Sequence, residues 1–205
     1  KLVDKGSFAE GGVDLLIANN VAAHVPKIND FIEGISIMLN KNGIASLEFP
    51  HLLKLIEGNQ FDTIYHEHFS YFSLNTFIKI TESNGLNLFD VEELSTHGGS
   101  LRVWLSNNQN IVKSSNIFNL LKKEINSGIE NLEMYKKFEK KAIEAKNQLI
   151  NFLLKEKKMN KRTYAYGAAA KGNTLLNFAG IKNDLINAVA DLAPSKQGKF
   201  LPGSH

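Results

Sequence analysis

The 205-residue sequence contains no cysteine. Within these residues that excludes a disulfide framework, a thiol nucleophile and a cysteine-ligated zinc. Arginine is nearly absent too: of 24 basic residues only Arg102 and Arg162 are arginine. Arginine carries most bidentate recognition of bases and phosphates, so the net charge of +3 and the pI near 8.9 do not describe a nucleic-acid reader. The densest basic stretch, Lys155–Lys161, is interleaved with glutamate and reads as a solvated helix end. Long apolar runs are also missing. Leu15–Ala18 and Ala188–Ala190 are among the longest, far short of the ~20 residues that cross a bilayer. The opening Lys-Leu-Val-Asp-Lys-Gly has no secretory character. With 43% hydrophobic and 22% charged residues, the composition is that of an ordinary globular chain. A cytoplasmic enzyme of one medium or two small domains is the expectation, with no membrane partner.

What is present reads as α/β. Residues 13–18 (Val-Asp-Leu-Leu-Ile-Ala) form a β-branched apolar run expected to be a buried parallel strand. Helical spacing follows over 28–40, with Asn42-Gly43 as its stop, and Ile44–Phe49 is a second strand ending at Pro50. Strand–helix–strand order is the mark of a parallel crossover, and ligands of such sheets gather beyond the strands' carboxyl ends. Asn19, Asn20, His24, Glu48 and His51 are thereby placed near a potential site. Residues 52–73 fit no single element. Residues 74–84 predict a helix with Ser73 as N-cap and Gly85 as stop. Leu86–Leu94 and Ser100–Leu105, around Thr96-His97-Gly98-Gly99, predict an antiparallel hairpin. From 110 to 158 the pattern is helical, with Gly128 separating two helices. A new α/β unit then begins: strand 163–166, a small-residue turn from Gly167 to Thr174, helix 175–178 and strand 186–190 ending at Asp191. That turn lacks the spacing of a phosphate-binding P-loop, and both a phosphate contact and plain tight packing suit it.

Polar chemistry concentrates in Phe61-Asp62-Thr63-Ile64-Tyr65-His66-Glu67-His68-Phe69-Ser70-Tyr71. Three readings fit these residues. His66 and His68 with a carboxylate have the composition of a zinc or iron site, completed by His51 or His97. The groups could equally satisfy one another in loops. A histidine oriented by Glu67 could also remove a proton beside a carbonyl while a tyrosine hydroxyl stabilises the oxyanion. Composition does not choose among them.

Ile17-Ala18-Asn19-Asn20-Val21 with His24-Val25 is similar to the fourth-strand region of class I S-adenosylmethionine-dependent methyltransferases. Leu47-Glu48-Phe49-Pro50-His51, the Tyr65-His66-Glu67-His68 block with Tyr71 and Ser73, and His97-Gly98-Gly99-Ser100-Leu101-Arg102 follow in order. Tyr166-Gly167-Ala168-Ala169-Ala170-Lys171-Gly172 with Leu175-Leu176-Asn177, then Lys196-Gln197-Gly198-Lys199 with Leu201-Pro202-Gly203, complete the series. Together they resemble the sugar C-methyltransferase family, across the chain except its helical stretch.

The resemblance implies that a ring carbon α to a ketone of a nucleotide-linked keto-deoxysugar is methylated with S-adenosylmethionine. It makes His68 the general base, Tyr65 the partner of the enolate oxygen, Glu67 an orienting group and His24 a supporting residue. Asn19 and Asn20 then belong to the cofactor side, and His97, Arg102 and Lys171 to the substrate side. No metal is expected in these residues, because the family's zinc is held by cysteines in an amino-terminal segment not represented here. Its glycine-rich cofactor loop is not represented either. The implied architecture is the carboxyl half of a Rossmann-like sheet over 1–108, a helical connector over 109–159, and the start of a second Rossmann-like α/β unit over 160–205. On this reading the chain is the back half of a larger polypeptide, unable by itself to bind the cofactor normally. The first residue Lys1 and the ending Leu201-Pro202-Gly203-Ser204-His205 fit that expectation. Two other functions stay in view: a metal-dependent hydrolase built on His66, Glu67 and His68, and a non-catalytic module that binds a nucleotide-sugar.

Overall fold

A computed structural model of the chain describes residues 12–204; Lys1 and the terminal His205 of the closing motif lie outside them. The chain forms two compact units. One comprises the described residues up to Gly58 together with Glu67–Tyr135, and the other Asn59–His66 with the residues from Lys136 onward.

In the first unit, β1 (Val13–Asn19), α1 (Ile28–Met38) and β2 (Leu39–Pro50) make the parallel crossover. α2 (Leu52–Glu57) and α3 (Leu74–Ser83) follow, then β3 (Asn87–Leu94) and β4 (Ser100–Ser106) as an antiparallel hairpin. The sheet order is β1-β2-β4-β3, so the hairpin docks on β2 through β4. The mixed α/β class expected from the pattern is what the chain adopts.

Local chemistry explains most boundaries. Ser73 Oγ accepts from the Thr76 amide at 3.2 Å and caps α3, and Gly85 ends that segment with φ +80. Helix α1 stops at Met38, earlier than its apolar spacing suggests, and β2 starts at once. The Asn40–Gly43 stretch then swings out of register, since Val13 pairs with Leu39 while Leu15 pairs with Ile44. Asn42 closes a small turn there, its amide 2.8 Å from Asn40 Oδ1. A Cβ on Gly43 would stand 2.5 Å from the Val13 carbonyl oxygen, so only glycine lets the strands close over this excursion. The turn signal at Asn42-Gly43 is real, but it operates inside a strand.

β1 is parallel, as expected, yet it is not buried. Leu15 and Ile17 are 57% and 63% exposed while Leu16 and Ala18 pack on the core. Among the described residues β1 pairs with β2 alone, and the two-residue period of a strand sends Leu15 and Ile17 to the uncovered face. The core itself centres on β2, whose Ala45, Leu47 and Phe49 are wholly buried. Phe49 meets Phe77 at 4.3 Å and Phe72 at 5.5 Å between ring centroids. Burying each such ring contributes about 1.5–3 kcal/mol.

α4 (Ser115–Ser127) belongs to the first unit, and most of α5 (Leu132–Lys158) to the second. Gly128, left-handed at φ +78, caps α4. In the second unit β5 (Tyr164–Tyr166) pairs in parallel with β6 (Ala188–Ala190) across α6 (Ala170–Ala179). α6 begins before the expected Leu175, because its small polar residues are satisfied within the helix. Thr174 Oγ1 donates to the Ala170 carbonyl at 3.0 Å and Asn177 Nδ2 to the Asn173 carbonyl at 2.9 Å.

Candidate active site at the edge of the first sheet

Parallel pairing of β1 with β2 brings Asn19 level with Glu48. Antiparallel β4 starts opposite Pro50, so the β3–β4 turn falls at that same edge. Asn20, left-handed at φ +56, donates its amide to the Glu48 carbonyl at 2.7 Å and turns the chain into a short 3-10 turn, Ala22–His24. The segment after Glu67 is tied to that turn. The Phe69 and Ser70 amides both donate to the Ala23 carbonyl, at 2.9 and 3.3 Å.

These ties bring two histidines together. His24 Nδ1 lies 2.9 Å from the main-chain oxygen of Glu67. A carbonyl oxygen only accepts, so Nδ1 carries the proton and Nε2 of the neutral ring is left as a lone pair. The His24 and His68 rings are 4.8 Å apart, tilted by 55°. Tyr71 stands edge-on to His68 at 5.9 Å. His24 is exposed, whereas His68 and Tyr71 are half-buried. The edge therefore holds an imidazole with a fixed tautomer beside a second imidazole and a phenol, a set suited to moving a proton.

Beside it lies a charged network. Glu48, buried in the sheet, accepts from Thr96 Oγ1 at 2.8 Å and from Arg102 Nη2 at 3.2 Å. Arg102 also reaches Glu92 at 3.4 Å. Arg102 is thus held by two carboxylates, and Glu48 pins the turn that presents His97. His97 is exposed and left-handed at φ +53. Gly99 follows at φ +121, where a Cβ would lie 2.6 Å from Lys54 Cβ.

His51 faces inward. It is 1% exposed and its Nε2 meets Glu124 Oε1 at 2.8 Å. Its ring is therefore committed to α4. Among the described residues no three histidine or acidic side chains converge as a metal-ligating group.

The remaining candidates belong to the second unit. Tyr65 is half-buried and His66 exposed, their rings 6.3 Å apart. In that unit Phe61 packs on Phe178 of α6 at 5.3 Å. Lys171 is exposed in the first turn of α6. The small-residue turn before it already faces an anion of the chain itself. Asp191 accepts from the Ala168 amide at 2.7 Å and the Ala193 amide at 2.8 Å. Those amides, Ala193 first and then Ala168, with Lys196 adding to them, hold its carboxyl below the ordinary value of 3.8.

Two contributors escape a reading of the sequence by motif. Thr96 carries no signal of its own. Glu124 does carry one: it stands in register with Ile117 and Leu120 on the buried face of α4, where a glutamate requires partners.

Residues 95–205, just over half of the chain, match the family described as the C-methyltransferase C-terminal domain. The chain is 34% identical over 213 residues to C-methyltransferase NovU of Streptomyces niveus, covering 98% of this chain. It spans about half of that relative's length (50%). Magnesium protoporphyrin IX methyltransferase ChlM from Synechocystis PCC 6803 overlaps 55% of this chain and 49% of its own, at 17% identity and TM-score 0.38. For PKMT2 from Rickettsia typhi with AdoHcy the shares are 57% and 40%, at 13% identity and TM-score 0.36.

Proposed function

The chain belongs to the C-methyltransferase family, and from that premise we propose that it serves S-adenosylmethionine-dependent methylation of a ring carbon α to the ketone of a nucleotide-linked deoxysugar. The observation that carries this reading is the His24–His68 ring pair, with His24 Nδ1 anchored on the Glu67 carbonyl at 2.9 Å. A saturated carbon next to a ketone becomes a nucleophile by losing its proton to give the enolate, so methylation at that carbon calls for a base beside it.

In the proposed step His68 takes the proton from the carbon next to the ketone; the C–H electron pair becomes the new C=C bond and the carbonyl π pair moves onto oxygen. That proton is acidic enough for imidazole only if the enolate oxygen is stabilised, a role assigned to the Tyr65 hydroxyl. His24, in ring contact with His68, supports the imidazolium that forms, and Glu67 orients the pair. His97 and Arg102 are the proposed sugar contacts and Lys171 the proposed phosphate contact.

S-adenosylmethionine would supply an electrophilic methyl group. Asn19 and Asn20 sit at the carboxyl end of β1, where α/β sheets meet such ligands. No glycine-rich strand–loop–helix accompanies them among the described residues, so those residues alone do not make its site.

Deuterium exchange tests the step. Full-length protein incubated in deuterated water with a nucleoside-diphosphate 4-keto-deoxysugar should exchange the proton α to the ketone without added cofactor. His68→Asn should slow that exchange by about 10²-fold or more. Exchange at the wild-type rate in His68→Asn would remove His68 as the base.

A further inference from the structure

His51 lies where the two loops of the candidate site meet. Its amide donates to the Gly99 carbonyl at 3.0 Å, at the end of the turn that presents His97. The next amide, Leu52, donates to the Phe72 carbonyl at 2.9 Å, at the end of the segment that carries His68 and Tyr71. Backbone bonds of two consecutive residues thus hold both loops. The side chain fixes those two residues in turn. Its Nε2 meets Glu124 Oε1 at 2.8 Å, while Nδ1 is buried with no hydrogen-bond partner. An unpartnered Nδ1 suits the tautomer whose proton is on Nε2, which directs the only ring donor at Glu124.

Glu124 ties the same point to α3. Oε1 also accepts from the Leu74 amide at 2.7 Å and Oε2 from the Asn75 amide at 3.1 Å. These are orphan donors of the first turn of α3, which a carboxylate satisfies while also favouring the helix dipole. The helix starts directly after Phe72-Ser73. The His68 segment is therefore fixed at its front through Glu67 and Ala23, and at its back through Phe72, Leu74 and Asn75. Glu124 accepts the Leu74 and Asn75 amides directly, and the residue after His51 supplies the bond to Phe72.

We propose that His51, held by Glu124, is a positioning residue that sets the His68 segment and the His97 turn against each other at the carboxyl end of β2. It touches no substrate. The functional consequence rests on the enolisation reading above; the positional consequence does not.

Two variants separate the roles. His51→Gln places an amide donor within reach of Glu124, whereas His51→Asn is too short to reach it. In full-length, 15N-histidine-labelled protein, His51→Asn should lose the ring-to-ring nuclear Overhauser contact between His24 and His68. It should also lower kcat for α-proton exchange at least about tenfold, with KM within about twofold, and His51→Gln should restore both. Glu124→Gln, which leaves His51 and the side-chain size intact, is the second variant if His51→Asn does not fold; it should reproduce the loss. Retention of the contact and of kcat in a folded His51→Asn or Glu124→Gln protein would overturn the proposal. So would a fall in kcat matched by an equal rise in KM, or an equal loss in His51→Gln. Absence of exchange in the wild type would overturn the enolisation reading instead, and the Overhauser contact would still decide the positioning role.

Discussion

His24 donates its Nδ1 proton to the main-chain carbonyl of Glu67 at 2.9 Å, and that one bond decides which nitrogen of His24 is basic. The anchor is a backbone atom, so the side chain of residue 67 is free to serve another purpose. The tautomer it enforces leaves Nε2 as the lone pair, in a ring 4.8 Å from that of His68.

A substitution can split anchoring from basicity. Asparagine places an amide donor near the position of Nδ1 but offers nothing in place of Nε2. His24→Asn should therefore keep the bond to Glu67 and still slow α-proton exchange by about 10- to 100-fold. Full activity in His24→Asn would reduce His24 to an anchor. Combined with His68→Asn, the effects should be strongly non-additive, because residues that act as one proton-handling unit fail together.

The buried carboxylate of Glu48 invites a stability measurement. It is the shared acceptor of Thr96 and Arg102, and Arg102 is partly open to water, so screening moderates the pair. Glu48→Gln should lower the stability of the first unit by about 1–3 kcal/mol. Trp104 is the single tryptophan and lies on β4, two residues from Arg102. Its fluorescence during urea unfolding reports the change, and an unmoved midpoint would show that the network contributes nothing.

Legibility in the sequence follows the range of the interaction. Ser73 as the cap of α3, Gly128 as the stop of α4 and the hairpin around residues 95–99 depend on neighbours within a few residues, and all were readable. The early start of β2 was not, because Asn42-Gly43 bends a strand whose partner lies 26 residues away through Asn40 and Asp14. At the site, the His-rich block announced itself by composition, yet its partners did not. The bond from His51 spans 73 residues to Glu124, and only the register of α4 hints that Glu124 points inward.

Gly99 offers a backbone test of the His97 turn. Its φ of +121 is closed to side chains, and an added Cβ would meet Lys54 Cβ at 2.6 Å. Gly99→Ala should cost about 1–3 kcal/mol in strain and displace His97, which also sits at positive φ. If His97 contacts the sugar, KM for exchange should rise more than kcat falls. A variant with unaltered melting temperature and KM would show that the turn relaxes around the methyl group.

Asp191 gives the second unit an acid-side dependence with a definite sign. The Ala193 and Ala168 amides hold its folded-state pKa below 3.8, whereas in the unfolded chain it returns to the ordinary value. A depressed carboxylate stabilises the fold fully above the unfolded value, and that contribution fades as pH falls through the folded value. The window therefore lies below 3.8, with no effect expected near neutrality. Amide proton shifts of Ala168 and Ala193, followed from about pH 6 to about pH 2, should move together with one midpoint below 3.8. Asp191→Asn should abolish that shared transition, since an amide side chain does not titrate. A midpoint at or above the ordinary value would mean that these two amides do not hold the carboxylate in solution. The turn after β5 would then be free to receive an external anion.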